Sequence, residues 1–283
     1  MKKLYLFLII ISLVVLAACG AKPTSEDLAE IPAEESAETQ AVDEKKAETI
    51  AERIERLDIE DVQADIVMEV ETLSEQLNMN IKSDSKLAYS AVNHGLYAIV
   101  DTVINDKPEN ASRLEAYADE EYIYLRTNQD PTWRKHTYAN QTIDPESLIK
   151  NYTVTEFRQF YEAWRDQLMI EETDAEYKIT LEGSGNEFAD YIRQTMNSIQ
   201  GLRIDEALLD IYMVKDVKVV HTFDKATNLP TAQTIFLNYM FRGESVNIEH
   251  ILDVNIDYTA VNSGYVLEFP AEFESLKLDS EGP

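Results

Sequence analysis

Few residue patterns in this 283-residue chain could carry chemistry. The single cysteine, Cys19, stands where "LVVLAACGAKPTSEDLAE" passes from apolar to polar. With no second cysteine, no disulfide staples the chain, and the sequence before the thiol must decide its role. The four histidines, at 94, 136, 221 and 250, are far apart. None lies in an H-E-x-x-H pattern or beside a second ligand at helical spacing, so no metal site is expected. His250 falls on an apolar strand face, where it reads as a core histidine with its hydrogen bonds satisfied. "DVNIDY", from Asp253, starts like a calcium loop and then fails. Tyr258 stands where glycine is needed and Gly264 where glutamate is needed. "GSG" at 183–185 lacks the residues that would complete a nucleophile elbow or a phosphate loop. The expectation is a protein with no catalytic residues and no cofactor.

Cys19 is positioned by what precedes it. Lys2 and Lys3, an apolar segment from Leu4 to Leu16 and two alanines follow the charged, apolar and small order of a secretory signal peptide. The apolar run is shorter than the roughly 20 residues that a permanent span needs. Residues 1–18 are therefore expected to be removed. Leu16-Ala17-Ala18-Cys19 resembles the lipobox of bacterial lipoproteins. That resemblance implies that the Cys19 thiol is diacylglycerylated and becomes the first mature residue. Acyl chains such as palmitate, each buried CH₂ contributing about 0.8 kcal/mol, would hold the protein on the extracytoplasmic face of the cell membrane. The alternative is an ordinary signal peptide with a chance cysteine.

Residues 19–46 are rich in Ala, Glu, Pro, Ser and Thr and poor in large apolar side chains, so they read as a lipidated, disordered tether. The formal charge of the whole chain is −28, and loss of Lys2 and Lys3 makes it more negative. This argues against nucleic acid and against docking onto anionic lipid or wall polymer, since the Coulomb term opposes approach, and it leaves a cation-binding role open. The dispersed acids read as a solvated surface that keeps an exported protein in solution.

Residues 47–283 read as one domain. Ala47, Ile50, Ala51, Ile54 and Leu57 have helical spacing, and from Asp61 the period becomes two. Val62, Ala64, Ile66, Met68 and Val70 alternate with Gln63, Asp65, Glu69 and Glu71, as in a half-buried strand. Strands continue to residue 105, with Gly95 expected at a bulge, and then through "RLEAYADEEYIYLRT", turned at Asp119-Glu120, and "TWRKHTY", with Trp133 on a strand near a turn. "TVTEFRQFYEAWRDQL" is a helix, opened by a Thr153/Glu156 capping box, with Phe157, Phe160, Tyr161, Trp164 and Leu168 on one face. A second helix is expected to carry Phe188, Tyr191, Ile192 and Ile199. Three more strands follow, the first two joined by a turn at "DKATNLP" and the last presenting Val246, Ile248, His250, Leu252, Val254, Ile256 and Tyr258 on one face. The fold class is α+β, a curved antiparallel sheet packed on helices.

The lipobox, the acidic tether, the opening strands, "EEYIYLRTNQDPTWRK", the helix-strand-helix insert, "TFDKATNLPTA" and "YVLEFPAEF" together resemble surface lipoproteins of Gram-positive bacteria related to the LolA and LppX-like proteins. The resemblance covers most of the chain after Glu48. It implies an open half-barrel closed on one side by helices, whose apolar cavity in better known relatives receives lipid acyl chains, and it brings no catalytic residues. Phe157, Phe160, Tyr161 and Trp164 are then the candidate ligand-binding residues, although an aromatic stripe of this spacing is also what a plain core looks like. Three functions remain open: a membrane-anchored binding or transfer protein for an apolar or amphiphilic, lipid-like ligand; a surface lipoprotein that senses or assembles a protein partner over a filled core; and an envelope hydrolase.

Overall fold

The computed structural model describes residues 49–75, 78–137, 154–189, 212–242 and 247–278. The expected signal peptide, Cys19 and the tether lie outside them, as do Thr153 of the expected capping box, Val246, and Tyr191, Ile192 and Ile199 of the expected second helix.

The described residues form one antiparallel sheet of eleven strands. The first six are β1 (Asp61–Leu73), β2 (Asn78–Ser90), β3 (Gly95–Ile104), β4 (Lys107–Ala118), β5 (Tyr122–Thr127) and β6 (Arg134–Thr137). The others are β7 (Met169–Glu172), β8 (Glu176–Gly183), β9 (Tyr212–Asp224), β10 (Pro230–Arg242) and β11 (Asn247–Val261). Their spatial order is β6-β5-β4-β3-β2-β1-β11-β10-β9-β8-β7. Two meanders thus meet back to back, and β1 and β11 form the central seam, with Ile66 opposite Ile256 and Met68 opposite Val254. β6 and β7 are the two edges, so the sheet is unclosed. A sheet of this width curls because each strand twists against the next. The result is half-barrel-like.

Alternation dictates which side chains fill the hollow. Val62, Ala64, Ile66 and Met68 on β1, Val217, Val219 and Phe223 on β9, Ile235, Leu237 and Tyr239 on β10, and Leu252, Val254 and Ile256 on β11 all join one buried cluster. The intervening residues carry cross-strand ion pairs such as Lys86–Asp65, Arg113–Asp101 and Lys218–Glu182 on the outer face.

The described residues hold two α-helices, α1 (Ile50–Glu55) and α2 (Val154–Trp164), so the balance is mostly β, with less helix than the expected α+β class implies. α1 is only six residues long, held by a capping box between Thr49 and Glu52 and by burial of Ile50 and Ile54. Where a second long helix was expected, the described part is a 3-10 turn at Asn186–Phe188.

Gly95 does not form a bulge. It pairs with Ser90 in regular register at the start of β3. Glycine is required for another reason: a Cβ there would lie 2.8 Å from Leu267 Cδ2 and 3.2 Å from Phe269 Cε2. Those two residues belong to a C-terminal strap. After β11 the chain returns across the outside of the sheet, where Asn93 Nδ2 donates to the Leu267 carbonyl. It then forms a 3-10 turn at Ala271–Ser275 and reaches the β6 edge in a parallel bridge between Lys135 and Leu278.

Candidate functional site

The helix α2 carries the candidate residues as expected from their spacing, and the structure brings all four to the inner face of the sheet. Phe160 is buried, and Phe157, Tyr161, Trp164 and Leu168 are half-buried against the same core, while Arg158, Glu162 and Arg165 are exposed. The helix is tied in place by Arg158, whose guanidinium donates to the carbonyls of Ile54, Glu55 and Leu57 at the C-terminal end of α1. A cation there also complements the negative end of that helix.

The stripe rests on β8 and β9. Phe157 meets Phe223 edge to face at 5.6 Å, and Phe223 stacks on Tyr177 at 4.9 Å. Trp164 stacks on Phe188 at 5.4 Å. The "GSG" segment explains that stack: a Cβ on Gly183 would lie 2.4 Å from the Phe188 ring, so only glycine lets the ring lie down on the end of β8. Gly185, at φ +109°, then turns the chain into the 3-10 turn.

Beneath the helix lies a residue that the sequence reading did not single out. His221 is 2% exposed, and the rings of Phe157 and Phe160 meet it edge to face at 5.0 and 4.8 Å. Neither of its ring nitrogens has a hydrogen-bond partner among the described residues. Its strand neighbours are Ile179 and Gln233, and the Gln233 side-chain oxygen already accepts from the Tyr258 hydroxyl. Burial pushes the imidazole down to about 3, so it is neutral at physiological pH. A buried imidazole without partners costs about 1–3 kcal/mol relative to a satisfied one. Alternation was the available signal, since Val217, Val219, His221 and Phe223 share a face just as the residues around His250 do.

His250, expected to be a satisfied core histidine, is half-buried, and a partner is seen at one ring nitrogen. Thr72 Oγ1 lies 3.2 Å from its Nδ1, and its ring stacks on Tyr239 at 5.1 Å. Burial lowers its pKa as well. His94 lies 3.5 Å from Glu120 on the surface, and His136 is buried on β6. The described residues contain no group of three or more His, Cys, Asp or Glu side chains that could hold a metal ion. They also contain no helix long and apolar enough to cross a membrane.

An open antiparallel half-barrel whose inner face is lined by aliphatic side chains and roofed on one wing by an aromatic helix defines the class of this molecule. Within that class the chain belongs to the DUF6612 family, described as a family of unknown function, whose profile matches residues 44–275. No match is found among curated proteins. Among solved structures the chain is similar, at 12% identity, to a DUF1329 family protein from Desulfovibrio piger, with 76% of this chain and 92% of that chain covered and a TM-score of 0.24. It is also similar, at 9% identity, to a β-barrel-like protein of the DUF1849 domain of unknown function from Brucella abortus, with 72% and 99% covered and a TM-score of 0.21.

Proposed function

We propose that this protein is a lipoprotein of the LolA and LppX-like kind, anchored through acylated Cys19 to the extracytoplasmic face of the cell membrane, and that its half-barrel binds or transfers an apolar or amphiphilic, lipid-like ligand without covalent chemistry. The observation that carries the proposal is the imidazole of His221 under the aromatic stripe, whose ring nitrogens have no hydrogen-bond partner among the described residues. A residue kept polar at a buried apolar position, at a cost to stability, is what a ligand-binding face retains. An amphiphile offers an apolar chain for Phe157, Phe160, Tyr161 and Trp164 and a hydroxyl or carboxyl for an imidazole nitrogen of His221. The acidic tether would hold the open sheet clear of the headgroups.

Native mass spectrometry of the full chain extracted from membranes is expected to show bound mass beyond the Cys19 anchor. In a Trp133→Phe background, fatty acid should shift and saturate the emission of Trp164, and Trp164→Ala should weaken the binding. Cys19→Ala should leave the chain unanchored or uncleaved. If no mass is retained and no fatty acid shifts the emission, the stripe is core alone. The partner-binding reading then replaces the carrier reading, favoured by the edge strand β7, where Met169 and Ile170 are 51% and 42% exposed.

A further inference from the structure

The outer face carries a second aromatic cluster, unrelated to the stripe. On β4 and β5 the alternation sends Ala116, Ala118 and Ile123 inward, so Tyr117, Tyr122 and Tyr124 point outward. The C-terminal strap lays Phe269 and Phe273 over them. Tyr124 stacks on Phe273 at 4.1 Å, with Phe269 edge-on to Tyr124 at 6.2 Å. Between the strap and the β4-β5 turn opens a cavity of about 480 Å³. Tyr122, Tyr124 and Phe273 form its wall, and the carboxylates of Asp119, Glu120, Glu121 and Glu274 stand at its lip.

The charge balance of this cavity is lopsided. One ammonium, that of Lys135, faces four carboxylates. Three of the four are engaged: Asp119 Oδ1 accepts from the backbone N–H groups of Glu121 and Tyr122, Glu120 meets His94, and the Glu121 carboxylate accepts from the Tyr122 hydroxyl, which leaves Glu274. Among the described residues Lys135 sits in no ion pair. Its Nζ lies over the Tyr122 ring, 3.7 Å from the centroid, and 5.5 Å from that of Tyr124. An ammonium held on ring faces inside a carboxylate lip is the arrangement by which proteins recognise organic cations. A metal ion, by contrast, needs convergent oxygen ligands, which ring faces cannot supply.

We infer that this cavity binds a small organic cation, an amine or quaternary ammonium, which takes the face of Tyr122 that Lys135 now covers. The flexible lysine stem can swing its charge to the Glu274 carboxylate as the ligand enters. The rigid part of the wall is preformed, since Tyr124 and Phe273 are both buried. The site is independent of the stripe, so neither proposal fails with the other.

The test is calorimetric titration of the detergent-solubilised full chain with choline, at fixed ionic strength, against its uncharged isostere 3,3-dimethylbutan-1-ol. Choline should saturate, and the isostere should bind at least about fivefold more weakly, the loss expected for removing one cation–π contact. Tyr122→Leu and Glu274→Gln should each weaken choline. Lys135→Met should tighten it, because the internal competitor is gone, and a gain of affinity cannot come from misfolding. Lys178→Met, which removes one positive charge on β8, should leave it unchanged. Equal binding of the isostere, heat that never saturates, or a Lys135→Met variant no tighter than Lys178→Met would each overturn the inference.

Discussion

The two aromatic regions lie on opposite faces of one sheet and use the same residue types to opposite ends. Under α2 the rings of Phe157, Phe160 and Phe223 close over aliphatic strands and leave His221 without a hydrogen-bond partner among the described residues. Under the strap, Tyr122, Tyr124 and Trp133 are surrounded by ions: Lys135 over Tyr122, and Arg126 over Trp133 at 4.4 Å while it pairs with Glu115. The lesson is that a ring's contribution is set by what its faces meet. Where they meet carbon, it is area removed from water. Where they meet charge, it is an electrostatic surface with a preferred ligand.

The comparison can be broken most directly by truncation. Phe223→Ala, at a fully buried position, should cost about 3–5 kcal/mol in denaturant unfolding of the full chain. Phe269→Ala on the half-buried strap should cost less than about 2 kcal/mol, because the site can collapse or fill with water. Equal losses would mean that the two regions do not differ in burial as described.

Acid titration sharpens it next. The unfolded His221 takes a proton near pH 6.5, whereas the folded one resists until about 3. Between those values the unfolded state binds the extra proton, so stability falls as pH falls, by about 2 kcal/mol from pH 7 to pH 5. The groups around the ring, Phe157, Phe160, Ile179 and Gln233, do not ionise. His221→Leu should flatten this part of the profile and stabilise the protein at neutral pH while weakening fatty-acid binding. A variant that gains stability and keeps binding would make the imidazole incidental.

The smallest expected effect is at Gly95. Alanine there meets Leu267, which is buried and has little room to move, so Gly95→Ala should cost about 1 kcal/mol by overpacking. It should also shift Trp133 emission in a Trp164→Phe background, since Trp133 meets Phe273 of the same strap. No change in either would show that the strap is not held where Gly95 admits it.

Much of the sheet was legible because its cause is local. Val62 to Val70 alternates except at the exposed Val67, Leu252 to Tyr258 alternates strictly, and a period of two has one structural reading when one face is buried. The stripe on α2 was legible for the same reason at a period of 3.6. Gly95 was misread because a glycine inside a strand pattern marks a bulge or a close approach with equal force, and only the position of the strap, more than 170 residues later, decides between them. The outer cavity was not legible at all. Tyr122 and Lys135 are far in sequence from Phe273, and no periodicity links a β5 side chain to a 3-10 turn beyond β11. Within the stripe, the spacing named the four aromatic residues, while His221 beneath them was passed over although the alternation that marked His250 marked it equally.

The central seam has a temporal meaning. β1 and β11 are the first and last strands of the sheet, and their paired residues, such as Ile66 and Ile256, are about 190 positions apart. Closing so long a loop comes before any reward from the contacts it brings, which makes assembly slow. On the export route proposed above, a chain threaded outward from its N-terminus cannot zip its two meanders together until the segment around Leu252 to Tyr258 has emerged. The same pairing that completes the sheet would thereby delay its folding, and on that route would keep the polypeptide slack during the crossing.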